Sequence, residues 1–261
     1  MRRAILPRWA RFAASVPEAA TVRYRSIART HVGRVRSINE DRLLDRGDQG
    51  LWVIADGMGG HHAGAAAATT AVEVLARLAD RATPIGRADL LAAIREANDR
   101  IHAGSAADAG TSGATIVALT VLGLRATICW AGDSRAYRIR DGIAERLTRD
   151  HSLVQELVDA GVLAESAAER HPRANVVTRA LGVAPAVEID VAAVHLATGD
   201  RLLLCSDGIS RSLHPRDFTT MPVAIDACAD RLLANALQRD GSDNATLILV
   251  DLLGDAAATM S

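Results

Sequence analysis

Lysine is missing from the 261-residue chain, so all 30 of its strong cations are arginines. Against 31 aspartates and glutamates they leave a formal net charge of -1. That balance gives no electrostatic footprint for nucleic acid. Aromatic residues are scarce as well, at 3%, which leaves no platform for stacked bases. The three cysteines, Cys129, Cys205 and Cys228, form no Cys-x-x-Cys pair, so zinc and redox chemistry lack their usual spacing. Cys129 in "ATICWA" and Cys205 in "RLLLCS" lie in apolar runs and read as small buried hydrophobes of a reducing compartment. No run is long and apolar enough to span a bilayer, and a cytoplasmic location is expected. Pro7, Arg8 and Arg11 interrupt the first twenty residues and break the apolar stretch that a signal peptide requires. A flexible basic extension is expected over 1–20, with a short amphipathic anchor as the alternative, and a disordered tail over 254–261.

What the chain does have is apolar material, 49% of its residues, enough for one sizeable core. No linker, repeat or low-complexity tract divides 21–253, so one domain is expected there. "TVRYRSIAR" alternates like an edge strand and "GLWVIA" reads as a short buried one. From Ala63 to about Ala82 the composition and spacing predict a helix. A second helix, "RADLLAAIREANDRIHAG", is expected to close at Gly104. Four strand-like runs follow, "ATIVALTVLG", "RATICWAG", "RAYRIRDG" and "IAERLT", with Asp141-Gly142 as a hairpin signal. "SLVQELVDAG" predicts a helix capped by Asp150 or Ser152 and ended by Gly161. Strands return at "AVEIDVAAVHL", "DRLLLCSDG" and "NATLILVDLL", with the helical "PVAIDACADRLLANALQRDG" before the last. Helices in blocks between hairpin-linked strands predict an α+β fold with mostly antiparallel sheets and helices packed outside.

Four aspartates stand at the mouths of apolar strands. Asp56 follows "LWVIA", Asp133 follows "ICWAG", Asp207 follows "LLLCS" and Asp243 precedes "NATLILV". Each has a glycine or serine beside it. Any one alone would read as an Asx-turn or a helix cap. Four together point to one oxygen-rich rim, suited to hard cations such as Mg²⁺ or Mn²⁺. Adjacent glycines let the backbone come close and offer a carbonyl.

The ordered motifs resemble the metal-dependent protein phosphatases of the PP2C (PPM) family in their bacterial form. The resemblance covers roughly Tyr24 to Leu252. It is carried by "RSINED" (Arg36–Asp41), "DGMGGHHAG" (Asp56–Gly64), "GAT" (Gly113–Thr115), "GDSRAY", "LTRDHSLVQELVDAG", "HPRANVVTRALG", "LLLCSDG" and "SDN" (Ser242–Asn244). The family usually has Gly-Thr-Thr where this chain has "GAT". The stretch "RSIARTHVGRVRSINED" with "GLWVIADGMGGHHAG" is especially similar to phosphatases of type VI secretion clusters.

The resemblance implies a four-layer α-β-β-α sandwich. It implies hydrolysis of phosphoserine or phosphothreonine in proteins, opposing a bacterial Ser/Thr kinase. By similarity, Asp56 would bridge two metal ions (Mn²⁺ or Mg²⁺) and the Gly57 carbonyl would ligate one of them. Asp207 and Asp243 would complete the inner shell, and Asp133 with Asp207 would take a third ion. Glu40 would stand behind, bonded to metal-bound water, with Asp41 and Asn244 in support. Arg36 matches the phosphate-binding position, where a planar fork suits two phosphate oxygens. Met58 occupies the position where eukaryotic relatives place a proposed general acid. His61 and His62 are then either candidate acids or helix-capping residues. His151 and His171, beside the helical insert that forms a flap in this family, are expected to be structural or substrate-facing. A monomer acting on phosphoprotein substrates is expected. Two alternatives are a partner-switching phosphatase of an anti-anti-sigma factor and a catalytically dead PP2C-like binding module. The retained aspartates and Arg36 argue against the second.

Overall fold

Along "LWVIA", Leu51, Val53 and Ala55 face one way and Trp52 and Ile54 the other, and all five are buried. Successive side chains of a strand take opposite faces, so this strand is covered twice. That is the organising fact of the molecule. The computed structural model describes residues 23–59, 62–81, 83–107 and 112–254. The expected N-terminal extension, His61 and all of the expected tail beyond Gly254 lie outside the described residues.

The chain runs β1 (Arg23–His31), β2 (Arg42–Arg46), β3 (Leu51–Ala55), β4 (Gly57–Met58), α1 (Ala63–Ala79) and α2 (Arg87–Ala107). It continues through β5 (Gly113–Ala114), β6 (Ile116–Leu122), β7 (Arg125–Ala131), β8 (Arg135–Arg140) and β9 (Ile143–Arg146). Then come α3 (Leu153–Asp159), α4 (Glu165–Ala168), β10 (Asp190–His195), β11 (Arg201–Cys205) and α5 (Asp207–Ser210). It closes with α6 (Pro215–Thr219), α7 (Ile225–Arg239) and β12 (Ala245–Leu253). One sheet has the order β10-β7-β6-β3-β2 and the other β1-β12-β11-β8-β9, with β4-β5 as a small third. Every pairing is antiparallel.

Three apolar layers fill the spaces between four structural ones. Leu51, Val53 and Ala118 meet Ala71, Leu75 and Leu78 of α1 and Leu90 and Ile94 of α2. Trp52, Ile54 and Ile128 meet Leu202, Ile248 and Val250 across the gap between sheets. Leu203, Leu247 and Leu249 meet Ile225, Cys228 and Leu232 of α7. Each fully buried leucine or isoleucine contributes about 1.5–3 kcal/mol. The result is the four-layer α-β-β-α sandwich. The three cysteines are free and buried.

Local chemistry sets the boundaries. Asp141 and Gly142 both take left-handed backbone angles between β8 and β9, as a tight hairpin of this twist requires. Ser152, not Asp150, caps α3, its hydroxyl accepting from the Gln155 amide at 3.3 Å. Gly104 does not end α2, which runs on to Ala107. There the Ser105 hydroxyl back-bonds to the Ile101 carbonyl at 3.1 Å and pairs with Ser112 at 2.6 Å, so the turn is fastened further on. The half-buried "RLLDR" forms β2, a strand the sequence pattern did not reveal. Its register against β3 sets Arg42 opposite Ala55.

Candidate metal centre

Sheet topology alone brings the acids together. β3 and β7 both pair antiparallel with β6, so they run parallel and their C-terminal ends, at Asp56 and Asp133, share one edge. β2 is antiparallel to β3, which puts Asp41, just ahead of it, at the same edge. In the other sheet β11 is antiparallel to β12, so Asp207 after β11 and Asp243 before β12 also share an edge. The two edges meet: Asp56 interacts electrostatically with Asp41, Asp207, Asp133 and Asp243.

The turn after Asp56 is built by close approach. The Asp56 carbonyl accepts from the Thr115 amide at 2.8 Å, and Gly57 pairs with Ala114 in the β4-β5 ladder. The first turn of α1 presses directly on this ladder. A Cβ on Gly57 would stand 2.2 Å from the Gly64 carbonyl oxygen, and one on Gly64 would stand 2.8 Å from Glu40 Oε1. Glycine is therefore demanded at both places by contact. Glu40 Oε1 accepts from the Ala65 amide at 3.3 Å, so this carboxylate caps α1 from another part of the chain and meets the positive end of the helix dipole. His62 sits at the cap position with a φ of 73° and makes no side-chain cap bond. His61 lies outside the described residues.

Asn244 holds the loop that carries Arg36 and Glu40. Its side chain accepts from the Glu40 amide at 2.8 Å and donates to the carbonyls of Val32 and Ile38, both at 2.9 Å. Asp41 is buried and accepts from the Ser206 hydroxyl at 2.9 Å. Its other oxygen, Oδ1, is buried with no partner. Arg36, half exposed, reaches Asp243 at 2.8 Å. Asp207 opens α5, and Arg211 one turn on contacts it at 2.7 Å.

These carboxylates are held at a cost. Burial first, then the charges of Asp41, Asp207, Asp133 and Asp243, push Asp56 well above the usual carboxylate range. Asp133 is raised to about 7 by burial, Asp207 and Asp150, against the pull of Arg211 and Arg135. Asp41 is raised to about 6, chiefly by burial. Burial likewise raises Asp207, which Arg211 opposes and Asp243 reinforces. A cluster that resists its own ionisation is one that cations would complete.

Among the described residues, no three His, Cys, Asp or Glu side chains are arranged to hold an ion by themselves. Arg36 contacts Asp243, and Arg211 contacts both Asp207 and Asp133. A hard cation of the Mg²⁺ type needs only one or two carboxylates, its other places being filled by water. An all-oxygen donor set with an orphaned buried Asp41 oxygen fits such ions.

His151 serves the scaffold of this edge. Its Nδ1 accepts from the Gly132 amide at 3.0 Å, its own amide donates to the Gly132 carbonyl at 2.9 Å, and its ring stacks on Trp130. Burial and then Arg179 lower its pKa. It fixes the turn before Asp133. His171 Nδ1 accepts from the Arg173 amide at 3.1 Å within its own turn. Buried Asp150 takes Arg135 at 2.7 Å and also Arg146. A cleft of about 140 Å³ separates α3 and α4 from Asp133, Ser210 and Arg211. Arg211 and Ser206 were not singled out from sequence. The only sequence sign of the first is its spacing of four from Asp207 on a helix.

Three comparisons bear on this arrangement. A family model described as Protein phosphatase 2C matches residues 30–245. The serine/threonine phosphatase stp of Listeria monocytogenes serovar 1/2a is 36% identical over 236 residues, covering 85% of this chain and 94% of that one. Among solved structures, PppA, a key regulatory component of T6SS in Pseudomonas aeruginosa, is 38% identical with a TM-score of 0.77, covering 88% of this chain and 98% of that one. The catalytic domain of the serine threonine protein phosphatase PstP, in complex with two manganese ions, is 34% identical with a TM-score of 0.81, covering 89% of this chain and all of that one.

Proposed function

The chain belongs to the protein phosphatase 2C family, and on that premise we propose how its own residues carry the reaction. It is a metal-dependent protein-serine/threonine phosphatase with a two-manganese type of centre. The observation that carries the assignment of residues is the convergence of Asp56, Asp133, Asp207 and Asp243 on one edge of the sandwich.

Asp56 would hold the core ions together with the Gly57 carbonyl, Asp207 and Asp243. Bound divalent ions supply charge neutralisation of the phosphate and hydroxide at neutral pH. Glu40, fixed by the α1 amide and by Asn244, orients water at the rim. Asp41 lends its free oxygen from behind. Arg36 leaves Asp243 to grip two phosphate oxygens with its planar fork. Asp133 with Asp207 would take a third ion. The three cysteines, buried and apolar, take no part; burial pushes the Cys129 thiol up to about 11 and the Cys205 thiol to about 12.

The substrates are phosphoproteins made by a Ser/Thr kinase. The similarity to PppA supports a place in type VI secretion signalling. No helix among the described residues is long and apolar enough to cross a membrane, and we place the enzyme in the cytoplasm as a monomer, with one catalytic unit over 21–253. The test is Asp56→Asn, followed by calorimetric Mn²⁺ binding and by turnover of a phosphothreonine peptide. Loss of both ions and a fall in turnover of more than about 100-fold are expected, since even outer partners of metal sites cost up to that much. Near-normal turnover at saturating Mn²⁺ would refute the assignment.

A further inference from the structure

Arg211 is the one described cation that touches both the metal-site acids and the flap. Its Nη2 lies 2.7 Å from Asp207 Oδ2 and 3.8 Å from Asp133 Oδ2. Its Nη1 donates to Asn175 Oδ1. Asn175 belongs to the segment between α4 and the Ser152–Val177 bridge, next to Ala174, which lines the cleft. The guanidinium is largely buried, with 22% of its side chain exposed. α5 is a single turn, so the spacing of four residues carries Arg211 back over Asp207.

We infer that Arg211 is the chain's built-in counter-cation for the Asp133–Asp207 pair, and that it and a third divalent ion occupy this pair by turns, with the flap segment at Asn175 released when the ion enters. The inference rests on the metal-centre reading above. The physical argument is one of space and charge. An ion ligated by both carboxylates stands at about 2.0–2.6 Å from each. A guanidinium within 4 Å of the same two oxygens fills that space, and two cations so close repel. One side chain makes both contacts, so the guanidinium cannot leave the acids and keep its place against Asn175. Leu153 to Val176 and His151 to Thr178 remain bonded behind it, so only the segment His171–Asn175 loses its tie. Occupancy of the third site is thereby converted into access to the cleft.

The experiment uses the full chain, with Mn²⁺ binding followed by calorimetry and amide hydrogen exchange followed over 171–177. Arg211→Met keeps the stem and removes the charge. It is expected to retain two core ions, to bind a third Mn²⁺ about tenfold or more tightly than the parent, and to exchange fast over 171–177 with or without Mn²⁺. In the parent, exchange there should rise only as the third ion binds. Asn175→Ala guards against a folding defect in the first variant. It should speed the same exchange and strengthen third-ion binding to a smaller degree. Two core ions bound with third-ion affinity and exchange unchanged in both variants would overturn the inference and leave the proposed function standing. A parent that binds no pair of ions would overturn that function, and the inference with it.

Discussion

Asp133→Asn should make the metal-free protein more stable, and increasingly so as pH rises. Asp133 is buried, and its pKa moves from an ordinary 3.8 to about 7 on folding. A raised carboxylate pKa means that the native state binds the proton more tightly than the unfolded chain does. Stability is therefore full below pH 3.8 and is lost as pH climbs toward 7. The gap between 3.8 and about 7, at about 1.4 kcal/mol per pH unit, makes the ionised group cost roughly 4 kcal/mol at pH 8. At pH 5 the same arithmetic gives less than half of that. Asparagine has no charge to hold, so the variant escapes this cost. In a chain of this size, each kcal/mol moves the melting temperature by about 2–4 °C. In EDTA, the variant should melt about 8 °C or more above the parent at pH 8, and the difference should shrink to a few degrees at pH 5. Saturating Mn²⁺ should close the gap, because cations then balance the carboxylate. Thermal unfolding followed by circular dichroism reads all of this. Parallel curves for parent and variant from pH 5 to 8 would refute the reasoning.

Arg36→Ala should raise KM for a phosphopeptide more than it lowers kcat, since the phosphate fork proposed for this half-exposed side chain would chiefly bind; an unchanged KM in steady-state kinetics on a phosphothreonine peptide would refute that role. Gly64→Ala should destabilise the fold by about 1–3 kcal/mol, the usual cost of overpacking, because its Cβ would stand 2.7 Å from the Gly57 carbonyl carbon. The same shift should weaken Mn²⁺ binding, and denaturant melts with calorimetry read both. Asp150→Asn strips the shared partner from the largely buried Arg135 and from Arg146, and should cost about 3–5 kcal/mol in a urea melt.

Much of the candidate site was legible along the chain because the pattern that marks it is local. An aspartate that ends an apolar run beside glycine is visible in ten residues, and "LWVIADGMGG" and "LLLCSDG" are such runs. The hairpin at Asp141-Gly142 was legible for the same reason, since a two-residue turn needs no distant partner. β2 was not, because "RLLDR" is half-buried throughout and shows neither a clean alternation nor a continuous apolar run. The end of α2 was misplaced at Gly104 because what fastens it, Ser112, belongs to the approach to another strand. The cap of α1 was left open between His61 and His62 as caps or acids, for a similar reason. The histidine beside it makes no cap bond, and Glu40, 25 positions away, does.

The sequence by itself determined the parts: free buried cysteines, two-faced apolar strands, an arginine-only set of strong cations, and acids at strand mouths. Tertiary structure alone decided which acids would face each other, because that depends on strand order. β3 and β7 become parallel neighbours-once-removed only through β6, and Asp207 joins Asp243 only through the β11–β12 pairing. It also decided the fate of the charges. Burial and mutual repulsion raise Asp56 and Asp133, and these arise only when segments from all along the chain enclose one small volume from which water is largely excluded. Arg211 belongs to that second class: its spacing from Asp207 shows in the sequence, but a guanidinium shared between Asp133, Asp207 and the Asn175 segment does not.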